Sequence, residues 1–451
     1  MATPAHWLYR AYHYGADVRH FLARRVRRSG IALGLTVLIV GFIGLGHPRD
    51  SVYQIFSLAV GMGLIGILWA TTRRVRITAT RDLPRYATVN ETLRYSVTIR
   101  NLGKNTARRA WLAESAPDHR PSRREFTSQR EPGEERRNLF DRTFVYYRWN
   151  WLMLRNRQIL TFPSHDEIRL SPGESQRITL QLTPLRRGVT RLDDLRVNLP
   201  DPFLLFQRSR KIPAPTATIT VLPKRHPLPA LELPGRNAYQ IGDDTTSNAI
   251  GNTGEFVSLR DYRPGDPLRQ IHWKSWARTN RPIVKELEDS HYPRYGLVLD
   301  TFSETGADTA FEAIISTAAS FAATLDRSDT LLDLMFIKHE AHRVTAGRGW
   351  ARAEKLMEVL AGATPETEFD FEPLAQLILR HREDLTSCLV LLLGWDEKRA
   401  AFLRQLTHAG LACVPLVIGT GERPAAAPGY WIDAENLARD LASLPTRLRA
   451  T

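Results

Sequence analysis

Residues 31–70 read IALGLTVLIVGFIGLGHPRDSVYQIFSLAVGMGLIGILWA, and this stretch decides the architecture. Residues 31–46 and 52–70 carry no charged side chain. A helix of about 20 residues crosses the hydrocarbon core of a bilayer. The second run is long enough, and the first reaches that length by borrowing residues 28–30, whose arginine extends to the headgroups. His47-Pro-Arg-Asp-Ser51 lies between them and suits a tight turn. Arg24, Arg25, Arg27 and Arg28 precede the first run, and Arg73, Arg74 and Arg76 follow the second. The positive-inside rule then places both outer ends in the cytoplasm and the turn outside. A cleaved signal peptide fits poorly, because no small-residue cleavage site follows the first run. A buried hairpin of a soluble protein fits poorly with two uncharged runs flanked by arginine. The expectation is a two-helix transmembrane hairpin over 31–70, with glycines such as Gly41, Gly44, Gly63 and Gly66 letting the helices approach.

Working outward, residues 1–30 form a basic amphipathic segment. Trp7, Leu8, Tyr12, Val18, Phe21, Leu22 and Val26 recur near helical spacing among six arginines. That pattern fits a helix lying in the membrane interface. These arginines, with Arg73, Arg74 and Arg76, account for more than half of the net charge of +14. The basic balance is therefore a topology signal and argues against nucleic acid as the partner. Cys388 and Cys413 sit in apolar runs. Two thiols are too few for a disulfide framework or a zinc site, and they suit a reducing compartment. A chain of 451 residues exceeds one core, so two soluble domains should follow the membrane segment.

Residues 77–225 read as an antiparallel β-sandwich. Stretches 93–100, 177–183 and 216–222 alternate in polarity and are bounded by Gly, Pro and Asn. Residues 114–142, rich in charge, Pro and Ser, read as a long mobile loop. The aromatic stretch 143–162 (TFVYYRWNWLMLRNRQILTF) reads as a strand pair completing the sandwich, in preference to a hairpin resting on the membrane.

Residues 226–291 link this region to the next. Their densest part is GEFVSLRDYRPGDPLRQIHWKSWARTNRPIVKE, 254–286. Asp266 before Pro267 reads as a helix N-cap, with the helix running to about Arg278. Glu255, Asp261 and Asp266 interleave with Arg260, Arg269, Lys274 and Arg278, and Tyr262, Gly265 and Trp273 lie among them. One reading is a brace of paired charges between the two domains. The other is an anion site built from Arg260, Arg269, Lys274 and Arg278, although no phosphate-loop pattern is present. Residues 292–451 alternate apolar strands (295–300, 331–337, 387–393, 411–418) with helical runs (307–325, 350–360, 373–382, 397–408). This is the pattern of an α/β, doubly wound parallel sheet.

The 254–286 stretch resembles the hallmark of the bacterial domain-of-unknown-function family fifty-eight. Pro184-Leu-Arg-Arg-Gly188 and Asp201-Pro-Phe-Leu-Leu-Phe206 resemble that family's pattern too, except that Leu204 stands where the family usually carries Gly. The resemblance implies a membrane protein with a von Willebrand factor A-like C-terminal domain. It implies partnership with a MoxR-type AAA ATPase, sometimes with a transglutaminase-like protein, and no established enzymatic activity. Domains of that type often hold a metal through Asp-x-Ser-x-Ser after the first strand. Here the sequence is Asp300-Thr-Phe-Ser-Glu304, with Phe302 and Glu304 in the serine positions. Metal is therefore not expected, and Asp300, Ser303 and Asp396 are the residues to test.

His339-Glu-Ala-His342 is one residue short of a zinc-protease motif, and no Cys-x-x-Cys, Gly-x-Ser-x-Gly or Rossmann fingerprint occurs. The function expected is a membrane-anchored, non-enzymatic adaptor without a cofactor. Its rival is an enzyme acting on an anionic or cell-envelope substrate through the 254–278 cluster, with Asp261, His272 and Lys274 converging on one point.

Overall fold

The computed structural model describes residues 4–46, 50–72, 75–229, 231, 233–234, 255–288, 294–303, 309–325, 331–338, 340–346, 350–445 and 448–449. The chain divides into two compact units, Met1–Lys224 and Arg225–Thr451.

The first unit begins with helices Pro4–Arg25, Arg28–Gly46 and Asp50–Thr72. Ser51–Thr72 is long and apolar enough to cross a membrane, and little of it is buried. Arg28–Gly44 is apolar but shorter. Large side chains on both point away from the protein, Phe42 at 79% and Leu58 at 72% exposure.

Three small sheets follow. Their order is Ile77–Asp82, Leu93–Asn101, Ser175–Pro184, Ile159–Phe162 in the first, and Gln207–Lys211, Leu195–Pro200, Ala107–Glu114, Ile168–Leu170 in the second. Tyr86–Thr88, Ala217–Leu222 and Gly188–Leu192 make the third. All pairings are antiparallel except that of Tyr86–Thr88 with Ala217–Leu222. The alternation read from sequence is real: Leu93–Asn101 buries Tyr95, Val97 and Ile99 on one face. Those residues share a core with Ile178 and Leu180 of the neighbouring strand and with Leu112 and Val197 of the second sheet.

Residues 114–162 depart from the expected loop and strand pair. They form helices Arg123–Ser128, Leu139–Phe144 and Tyr146–Arg155, with a 3-10 turn at Glu134–Arg136, and only Ile159–Phe162 is a strand. Ser122 caps the first helix, and Glu125 answers it in a capping box. Asn138 caps the second. In the third, Trp149 and Leu152 lie one helical turn apart and are both buried. They pack with Val145 and Phe126 against Leu8, Tyr9, Tyr12 and Ala16 of the N-terminal helix. Aromatic content suggested strands, but the three-residue spacing of the buried side chains is what the tertiary structure uses. Leu8 and Tyr12 are thereby taken from any membrane-facing stripe, while Trp7, Phe21 and Leu22 remain exposed.

In the second unit, a hairpin pairs Glu255–Asp261 with Ile283–Glu288. A six-stranded sheet then runs Glu340–Ala346, Leu331–Lys338, Arg294–Leu299, Ser387–Leu393, Cys413–Gly419, Tyr430–Asp433. It is parallel except for the edge strand Glu340–Ala346. Helices Thr309–Leu325, Trp350–Ala361, Glu372–Arg380, Glu397–His408 and Leu437–Ala442 are interspersed. The two edge strands escape a sequence reading because edges lack the continuous apolar run of a buried parallel strand. Cys388 and Cys413 are register partners on adjacent central strands, both free and buried. Burial pushes the Cys413 thiol up to about 12 and raises Cys388 as well.

Candidate functional site

Three motif-bearing places can be built from the residues upward. The first is the loop Asp201–Phe206. Asp201 is buried, and its carboxylate accepts the Phe203 N–H at 2.6 Å and the Phe206 N–H. The loop it holds lies against the apolar helices: the Leu205 carbonyl accepts the Arg27 N–H at 3.0 Å, and the Leu204 carbonyl accepts the Ser29 hydroxyl. A Cβ on Gly30 would collide with the Leu205 carbonyl, so glycine is what permits this approach. Leu204 has φ +60°, the left-handed region that favours glycine. A leucine therefore occupies a conformation that costs a side chain with a Cβ. Gly188, which ends the other short motif, has φ +117° at the turn before Gly188–Leu192.

The second place is the 255–288 hairpin and its crossing segment. Asp266 does not cap a helix. Its carboxylate accepts both ends of the Arg260 guanidinium at 2.7 and 2.8 Å and the Arg263 N–H at 2.8 Å. Arg260 and that N–H hold the Asp266 carboxyl down at about 2. Gly265, at φ +109°, makes the turn that allows this. The single helix expected from Pro267 to Arg278 is interrupted. Leu268–Gln270 is a 3-10 turn and Trp273–Thr279 an α-helix. Between them Ile271 bridges Val284, and the His272 N–H donates to the Ile283 carbonyl at 2.8 Å. Pairing with the hairpin outcompetes the helix that the proline start suggests.

Tyr262 donates its backbone N–H to Pro282 at 2.9 Å. Trp273 stacks on Trp276 with centroids 5.2 Å apart. His272 Nδ1 lies 2.6 Å from Ser275 Oγ. Arg269, Lys274, Arg278 and Asp261 are exposed, whereas Arg260 is turned to Asp266. The side chain of Glu255 lies outside the described residues.

The third place is at the carboxyl ends of the central strands, where open α/β sheets gather their ligands. A crevice of about 470 Å³ opens there, walled by Phe369, Trp395 and Trp431 and floored by Asp396 and Arg399. Asp300, just past the strand Arg294–Leu299, is 1% exposed. Its Oδ1 accepts the Phe302 N–H, and its Oδ2 accepts the Leu393 N–H, both at 2.9 Å. Asp300 Oδ2 also accepts Arg399 Nε at 2.7 Å. Burial pushes the Asp300 carboxyl up, and Arg399 with the two N–H donors pulls it back. Asp396 caps the helix Glu397–His408 by accepting the Arg399 N–H at 2.8 Å, and it also pairs with the Arg399 guanidinium. Ser303 is buried, its N–H bonded to the Glu366 carbonyl at 3.0 Å.

The metal ligands that the A-type resemblance suggests are therefore not assembled. Phe302 packs edge-on against Phe371 at 4.7 Å, and a guanidinium lies between the two carboxylates. Among the described residues no three His, Cys, Asp or Glu side chains are grouped to hold a metal. Arg399 is the residue missed from sequence. Its signal is a base in the first turn of a helix, where the macrodipole disfavours cations.

Residues 258–391 match the family model "Protein of unknown function DUF58" and form a domain of that family. Asp300 lies within the matched span; Asp396 and Arg399 lie beyond it. The chain is 38% identical over 93 residues to YeaD, an uncharacterized protein of Bacillus subtilis. That alignment covers 19% of this chain and 22% of YeaD, about a fifth of the curated relative. Among solved structures, the CARDB domain of a Pyrococcus furiosus protein overlaps at 13% identity, over 33% of this chain and 89% of that one, with a TM-score of 0.17. Proximal thread matrix protein 1 of the mussel byssus overlaps at 11% identity, over 33% and 44%, with a TM-score of 0.26. Scores this low carry no argument, and the fold rests on the strand pairings above.

Proposed function

We propose that this chain is a membrane-anchored, non-enzymatic adaptor. Residues 31–70 cross the inner membrane as a two-helix hairpin, and the rest of the chain faces the cytoplasm. The region 292–451 is a von Willebrand factor A-like domain that offers the crevice at its strand ends to a protein partner. That partner is a MoxR-type AAA ATPase, and the pair remodels or matures another protein.

The carrying observation is the helix Ser51–Thr72, without a charged side chain and with Leu58, Leu64 and Leu68 exposed at 72%, 63% and 65%. Such a surface is stable in lipid and costly in water. Arginine at both outer ends of the hairpin supports the orientation. Exposed Trp7, Phe21 and Leu22 on the basic first helix support contact with the membrane surface. The ATPase rests on the family resemblance alone.

The test is crosslinking and mass spectrometry of native membranes, with and without ATP, using the full chain and a chain lacking 292–451. Nucleotide-dependent capture of an AAA ATPase by the full chain alone is expected. Equal capture by both chains would refute the adaptor reading.

A further inference from the structure

Domains of the A type often hold a metal just after the first strand; here a side chain takes the position between Asp300 and Asp396. Arg399 is 5% exposed. Its Nε donates to Asp300 at 2.7 Å, one terminal nitrogen pairs with Asp396, and Nη2 donates to the Phe302 carbonyl at 3.0 Å. We propose that Arg399 is the resident cation of this site: its guanidinium stands where a divalent ion would bridge Asp300 and Asp396, and it closes the site to metals. The inference rests on these side chains and stands apart from the adaptor reading.

Three observations carry it. Space is the first. Magnesium or calcium would sit about 2.0–2.6 Å from each carboxylate oxygen. The Asp300 oxygen facing the site already has an arginine nitrogen at 2.7 Å, and the ion's position would overlap the guanidinium. Valence is the second. Asp300 Oδ1 is used by the Phe302 N–H and Oδ2 by the Leu393 N–H, which leaves few lone pairs for an ion. Charge is the third. A buried carboxylate survives only when paired, and a planar fork reaching two carboxylates and a carbonyl satisfies all three acceptors at once. Asp300 and Asp396 therefore keep their counter-charge whatever the supply of divalent ions.

The test uses the full chain in detergent micelles, with Mn²⁺ as the probe, followed by the spin-resonance signal of free Mn²⁺ and by the melting midpoint. The wild type is expected to bind no Mn²⁺ at this site and to melt at the same temperature in Mn²⁺ and in EDTA. Arg399→Met leaves two carboxylates face to face. It is expected to melt lower, to bind Mn²⁺, and to regain part of its midpoint when Mn²⁺ is added. The double variant Asp300→Asn with Arg399→Met is expected to lose both responses. Wild-type protein that binds one Mn²⁺, lost in Asp300→Asn, would overturn the proposal. So would an Arg399→Met chain that is destabilised yet indifferent to Mn²⁺, since packing alone would then explain the arginine. If Arg399→Met does not fold, Arg399→Lys keeps the charge without the fork. It is expected to fold and to exclude Mn²⁺, and Mn²⁺ binding by that variant would count against the resident cation.

Discussion

The two ends of the C-terminal sheet both bury carboxylate–arginine clusters, with opposite balances. Near the amino end of the strands, Asp333 is fully buried and serves two arginines, Arg294 at 2.8 Å and Arg343 at 2.6 Å. At the carboxyl end one arginine, Arg399, serves two carboxylates, Asp300 and Asp396. The first cluster ties three adjacent strands across the sheet. The second lines a crevice, and the Asp396 side chain is 44% exposed. A structural tie surrounds its charge, whereas a site leaves part of it facing solvent.

If that contrast is right, the amino-end cluster should be the more costly to break. Asp333→Asn leaves two guanidiniums without their shared counter-charge, and a loss of about 3–5 kcal/mol is expected. Denaturant unfolding of the purified chain measures it, and a loss below that at Asp396 would erase the distinction. Asp396→Ala removes a helix cap and one of two partners, for an expected loss of about 1–2 kcal/mol. Asp396→Asn, which can still cap, should lose less. Equal losses would show that charge, not capping, is what Asp396 supplies.

A position without charge calibrates these values. Leu204→Gly relieves a left-handed leucine, and a gain of about 1 kcal/mol is expected in the melting of the first unit. A loss would mean that the side chain's contacts outweigh the strain.

The smallest effect is expected at the motif hairpin. Its Asp266 carboxyl is held at about 2 against an ordinary 3.8. Because the folded value is the lower one, the pair stabilises fully above pH 3.8 and its contribution disappears as pH falls through about 2. Arg260 is partly exposed, so less than about 1 kcal/mol is involved. The midpoints of wild type and Asp266→Asn should converge as pH is lowered from 5 to 2. Parallel curves would mean that the pair contributes nothing.

Legibility followed the same physics. Ser387–Leu393 and Cys413–Gly419 are buried on both faces, so their apolar runs announce them. Tyr146–Arg155 departs from the strand pattern because aromatic side chains suit helix and strand alike, and only contact with Tyr9, Tyr12 and Phe126 selects the helix. Ser122 and Glu125 did carry a legible helix start inside the presumed loop. In the 254–286 motif, the charges were legible and their pairing was not. Arg260 chooses Asp266 because the turn at Gly265 brings that carboxylate back beside the strand.

The sequence by itself determined the apolar hairpin segments, the alternating strands of the first unit and the αβ alternation of the second. Each depends on a periodicity that neighbours along the chain impose. It also determined that Phe302 and Glu304 break the metal pattern. Tertiary structure alone decided what fills the gap. Arg399 lies 99 residues from Asp300, and only the parallel pairing of Arg294–Leu299 with Ser387–Leu393 brings their ends together. Burial there leaves a carboxylate that must be paired, and the folded chain supplies the cation itself.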